Sequence, residues 1–175
     1  MNYWYLVASL PYLRFGEKPA LSRSAFLSSC AGQLPAAEFQ VLSAVFENRC
    51  APDSAAAAQW WSGEVGLRNA VVRVRAKNRG VDAARFLQPH DGFSMAVEEM
   101  VTDAFARANP LEQEADLDRI RWGMADELAL TAPFGFPGVL AFAVKLRIAE
   151  RWAGFDGEEG RKIVEELILA SAESR

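Results

Sequence analysis

A chain of 175 residues that is 51% hydrophobic is long enough for one well-packed core, or for two small helical lobes. Its net charge of −4 and pI near 5.1 argue against a general nucleic-acid binder. Two cysteines, Cys30 and Cys50, do not make a disulfide scaffold at this length, and each reads as a buried free thiol in a helical pattern.

The opening MNYWYLVASLPYL is apolar and aromatic. Tyr3 to Val7 suit a short strand, but with no visible partner strand a docked extended segment or a helical turn is equally compatible; Pro11 stops it. The expectation is a short extended N-terminal segment. Ser22 or Ser24 can cap a helix carrying Phe26, Leu27 and Cys30, which Gly32 ends. Pro35 opens another as its first residue, with Phe39, Leu42, Val45 and Phe46 on one face. Asp53 is an N-cap for the alanine-rich run into Trp60 and Trp61. Gly63 and Gly66 then interrupt the pattern, which leaves either two helices or one kinked helix.

Residues 67–80, LRNAVVRVRAKNRG, carry Arg68, Arg73, Arg75, Lys77 and Arg79 with no acid between Val65 and Val81. At helical spacing Leu67, Ala70, Val71 and Val74 form an apolar stripe. Arg68, Arg75 and Arg79 flank one edge, and Arg73 and Lys77 lie across the other. Such a rim can be plain solvated surface, or a set of guanidinium forks for an acidic partner. Gly80 caps the helix, and Asp82–Leu87 suit one further turn. The loop Gln88–Gly92, with His90, is a candidate hinge between sub-lobes 1–87 and 93–175 of one helical domain.

Beyond it, Ser94 caps a helix with Val97, Met100, Val101, Ala104 and Phe105 inward. Asn109-Pro110-Leu111-Glu112 is a helix start signal. The helix Pro110–Leu130 has two opposed apolar stripes and is expected between neighbours. Gly138–Trp152 is apolar nearly all round, as a central helix would be. Asp156 and Glu159 open a last helix with Ile163, Val164, Leu167 and Ile168. The fold class is all-α with about seven helices. Residues 98–127 hold nine acids against three arginines, so an acidic half follows the basic helix and can pair with it internally.

No catalytic constellation is visible. One histidine and two distant cysteines cannot build a tetrahedral zinc site, and no phosphate-binding loop or nucleophile elbow occurs. The reading is a non-enzyme with no cofactor and no metal. Tryptophan and arginine are enriched at binding hot spots. Trp60, Trp61, Arg68, Arg73, Arg75, Lys77 and Arg79 are therefore the candidate partner-binding residues, because adjacent tryptophans on a helix point about 100° apart and cannot share one core stripe. The rival is a stand-alone small-molecule binder or enzyme, with a pocket lined by Trp60, Trp61 and Tyr5 beside the basic helix. With no basic n-region and no apolar run of about 18 residues, neither a signal peptide nor a membrane span is expected, and the protein reads as cytoplasmic.

The segments YWYLVASLPYL, LRNAVVRVRAKNRG and DLDRIRWGMADELALTAPFGFPGVLAFAVKLRIAERW resemble a group of small helical proteins found with bacterial V-type ATPases. Those proteins look like short relatives of the V-type ATPase C subunit, which is named d in eukaryotes. Arg68, Asn69, Arg73, Arg75, Lys77 and Gly80 match the family's basic helix. The resemblance implies C-subunit-like helical lobes and a non-catalytic role: coupling the central stalk to the membrane ring, or assisting its assembly. The implied partners are the stalk and ring proteins of the V-type ATPase, with the membrane reached only through the complex. The C subunit is roughly twice as long, with three lobes, so this chain would supply one lobe or two reduced ones.

Overall fold

Helix signals in the sequence become seven α-helices and one 3-10 turn in the computed structural model, which describes residues 1–51 and 53–155. They are α1 (Trp4–Ser9), α2 (Arg23–Cys30), α3 (Ala36–Phe46), α4 (Ala55–Arg79), α5 (Met95–Phe105), α6 (Pro110–Thr131) and α7 (Phe136–Ala153), with the 3-10 turn at Ala84–Phe86. All elements among the described residues are helical, so the all-α class holds. The expected last helix from Asp156 lies outside the described residues.

Side-chain caps set most starts. Ser22, Ser94 and Asn109 accept from the backbone N–H of Ala25, Val97 and Leu111, satisfying donors that a helix leaves orphaned. At α4 the cap is Ser54, which accepts from Ala57, and not the neighbouring Asp53. Pro35 precedes α3 as its N-cap instead of opening it. The first N–H of α2 is satisfied from far away, by the Glu150 carboxylate of α7 at 2.7 Å.

The N-terminal segment corrects an expectation: it is helical, not extended. Its aromatic residues favour strand only where a pleated partner exists. Here tertiary contacts decide. The Tyr3 N–H donates to the Phe134 carbonyl at 2.6 Å, Trp4 stacks on Phe134 with centroids 4.0 Å apart, and Leu6 is buried.

α7 is the central element, as its all-round apolarity predicts. It packs on α6, α3 and α4, and buries Val139, Leu140, Val144, Leu146 and Ile148. α6 lies between α7 and the α4–α5 pair. Two core clusters result. The larger joins α1, α2, α3, α7, the first half of α4 and the second half of α6, and the smaller joins the middle of α4 to α5 and the first half of α6. Helices before and after the 88–92 loop contribute to both.

Glycines mark the tight approaches. In the first turn of α7, a Cβ at Gly138 would run into the carbonyl of Pro133, whose backbone cannot yield as a side chain would. Gly123, exposed on α6, has open space around its Cβ direction. Gly138→Ala is therefore expected to cost about 1–3 kcal/mol, whereas Gly123→Ala should add up to about 1 kcal/mol from helix propensity. Urea unfolding of the two variants checks the opposite signs. The cysteines differ in the same way. Cys30 is buried, which pushes its thiol up to about 11, while Cys50 is exposed in the α3–α4 connection, contrary to its helical reading. An aromatic disulfide reagent at pH 8 should label one thiol in the native protein and two after denaturation.

Candidate functional site

α4 runs unbroken through Gly63 and Gly66, so these residues do not break it. Both are places where another element comes close. A Cβ on Gly63 would meet Met124 Cε of α6 at 2.8 Å, and one on Gly66 would meet the His90 ring at 3.3 Å. One turn on, buried Asn69 clamps the returning chain. Its Nδ2 donates to the Gln88 carbonyl at 2.7 Å, and its Oδ1 accepts from the Gln88 N–H at 2.9 Å. Ser62 does the same with Asp91, through its hydroxyl. Gly80 ends the helix at φ 66°, a left-handed conformation that suits glycine, and its N–H reaches the Ala76 and Lys77 carbonyls.

The candidate residues on α4 have separate fates. Trp60 and Trp61 are 3% and 6% exposed and both belong to the larger core cluster. Two adjacent tryptophans can both be buried because α4 is covered on more than one side, by α6 and α7. Neither is available to a partner, and the Trp61 indole N–H is buried without an acceptor among the described residues. Tyr5 is 93% exposed, so a pocket lined by these three aromatics does not form. Arg68 donates to Glu64 at 2.8 Å, one turn earlier on the same helix. Arg73 grips both oxygens of Glu98 on α5. Arg75, Lys77 and Arg79 are exposed, and among the described residues none of them makes an ion pair. Arg75 lies over the Phe105 ring at 5.5 Å.

Internal pairing with the acidic half thus consumes one cation of the basic stretch, Arg73. Several acids of α6 are used elsewhere: Asp116 by Arg107 and Arg119, Asp126 by Lys145, Glu114 by Arg151. The unpaired end of α4 borders a groove of about 640 Å³ with Arg75, Arg79 and Arg85 around it. Val72, Val81 and Phe86 supply apolar surface there, and Phe86 is 61% exposed. Its one carboxylate, Asp82, accepts from the Ala84 N–H. Three guanidiniums against one carboxylate, on an apolar base, can receive an acidic segment that also has an apolar side.

A second charged assembly, missed from sequence, lies where α4, α6 and α7 meet. Arg121 donates to both oxygens of Glu64, at 3.0 and 3.3 Å, and to Asp118 at 3.0 Å. Asp118 also accepts from the Trp152 indole at 2.9 Å and faces Arg151 at 3.2 Å. Glu64 and Asp118 are each 2% exposed. Burial pushes the Arg121 guanidinium down, but the two carboxylates outweigh it and hold it above its ordinary value. The signal in the sequence is two arginines four apart, Arg147 and Arg151, near the end of a helix whose first half is apolar.

The family described as "Protein of unknown function (DUF2764)" matches residues 92–171. That stretch includes α5, α6 and α7, with Asp118, Arg121, Arg147 and Arg151, and stops short of α4. No curated protein and no solved structure matches the chain. No helix among the described residues is long and apolar enough to cross a membrane.

Removing the central cation would strand two buried carboxylates. Arg121→Met is expected to lower unfolding free energy by about 3–5 kcal/mol. The double change Lys77→Gln/Arg79→Gln on the exposed rim should stay within about 0.5 kcal/mol of the parent. Denaturant melts followed by circular dichroism compare the two.

Proposed function

We propose that this protein is a non-catalytic helical component or accessory protein of a V-type ATPase, one that couples or helps assemble the central stalk at the membrane ring. It would sit in the cytoplasm, peripheral to the inner face of the membrane through the complex. The observation supporting a docking role is the exposed end of α4, where Arg75, Lys77 and Arg79 make no ion pair among the described residues and Arg75 and Arg79 border a partly apolar groove. The partner's identity rests on the resemblance of LRNAVVRVRAKNRG and the later helical segments to V-type ATPase-associated proteins.

Within that matched helix the residues divide by task. Asn69 and Gly80 shape the backbone around the groove, and Arg73 ties α4 to α5. Arg75, Lys77 and Arg79 remain for a partner. Exposed ion pairs in isolation contribute little. Clustered cations, here Arg75 and Arg79 with Arg85 across the groove, steer an acidic partner, and they strengthen once docking removes water from around them.

Affinity purification of the tagged full chain from gently solubilised membranes, followed by mass spectrometry, tests the reading. Stalk and ring proteins should be recovered in constant ratio, with recovery falling as salt is raised. Lys77→Glu/Arg79→Glu should reduce that recovery several-fold. Because it reverses two favourable helix-end charges, it should also cost about 1 kcal/mol of stability while leaving unfolding cooperative. A wild-type preparation that brings down no component of the ATPase would sink the proposal.

A further inference from the structure

We propose that the pocket between α4, α6, α7 and the turn at Asn48 binds a small organic carboxylate. The pocket holds about 450 Å³. Four guanidiniums line it, from Arg68, Arg121, Arg147 and Arg151, against three carboxylates from Glu64, Glu114 and Asp118. Among the described residues one positive charge is left over. The bonding identifies its owner. Arg121 engages Glu64 and Asp118 with its fork, Arg151 bridges Asp118 and Glu114, and Arg68 holds Glu64.

Arg147 has no carboxylate among the described residues. Its Nη1 donates to two neutral acceptors, the Val45 carbonyl at 2.8 Å and Asn48 Oδ1 at 3.1 Å. Burial and the nearby Arg121 and Arg68 charges pull this guanidinium below its ordinary value, against the opposing pull of Glu64 and Asp118. It nevertheless stays charged at neutral pH. A cation drawn partly out of water without a counter-ion is costly, and an anion seated beside it would offset that cost.

The chemistry of the ligand follows from the donors left over. Nη1 is engaged, which leaves the Nε–Nη2 edge, a fork whose spacing fits the two oxygens of a carboxylate. Asn48, in the left-handed region at φ 55°, points its Oδ1 at both Arg147 and Arg68 and so sets the angle between them. A single negative charge balances the surplus. A dianion would bring its second charge against Glu64 and Asp118. Ile148 offers an apolar wall for a short carbon body. The site is separate from the docking end of α4, since Arg68 and Arg79 lie about 16 Å apart along the helix axis, and it stands whether or not the ATPase reading does.

The test uses the full chain with ¹⁵N-labelled arginine, observing each Nε–Hε signal by NMR. Acetate is the probe, titrated against chloride at fixed ionic strength, with inorganic phosphate in parallel. The Arg147 signal should shift saturably with acetate, while the exposed Arg75 signal stays put. Arg147→Lys, which keeps the charge and loses the fork, should weaken acetate binding at least tenfold. Glu114→Gln removes a rim carboxylate that is 44% exposed and does not threaten folding. It should tighten acetate binding several-fold. Linear shifts shared by all arginines, an equal response to chloride, or unchanged affinity in Glu114→Gln would each overturn the site. Phosphate binding more tightly than acetate would overturn the carboxylate assignment.

Discussion

Arg121 ties the long helices together. From α6 it reaches across to Glu64 on α4 and back to Asp118 on its own helix, and Asp118 is held in turn by Arg151 and Trp152 of α7. Removing such ions from water costs several kcal/mol each, so the arrangement is a poor source of net stability. Its effect is on register. Apolar stripes on α4, α6 and α7 would tolerate sliding by a turn at modest loss. A slide of one turn, about 5.4 Å, would part Arg121 from Glu64 on α4, or Asp118 from Arg151 and Trp152 on α7. The charged assembly therefore selects one alignment among several that hydrophobic packing alone would allow.

That alignment fixes what the rest of α4 can do. Its first half is held in the larger core by Ala57, Trp60 and Trp61, and its middle presents Gly63 and Gly66 to Met124 and His90. With these held, Asn69 can clamp Gln88, and the chain after Gly80 folds back beside the helix. The basic groove is a product of that return: Val81, Arg85 and Phe86 reach it only because the loop is pinned. A helix of 25 residues is thus buried at one end and bare at the other.

Periodicity and punctuation carry most of the helix order. Ser22, Ser94, Asn109 and Gly80 do at their helix ends what their chemistry favours, and the all-round apolarity of α7 announces its central place. The departures from expectation share a cause. Local preference misplaces Tyr3–Val7, Trp60 with Trp61, and Gly63 with Gly66, because each is decided by a neighbour distant in sequence. Phe134 holds the N-terminal turn helical, two helices cover the tryptophans, and Met124 and His90 occupy the space the glycines leave. The arginine pocket is hidden for the same reason. Its charges lie on three helices and look like ordinary solvated faces until the helices are brought together.

Net charge conceals this division. The chain is acidic overall, yet much of the acid in α6 is paired with arginines and a lysine of α6, α7 and the α5–α6 connection. Those pairs cancel locally, and their fields fall off within about a Debye length, roughly 8–10 Å. Arg75 and Arg79 at the end of α4 share their groove with Arg85 and, among the described residues, with a single carboxylate, Asp82, so their field is not cancelled on that side. An approaching acidic surface would sense a basic end on a protein whose sum of charges would predict repulsion. The distribution, set by which acids the core has already claimed, decides the kind of partner this molecule can receive.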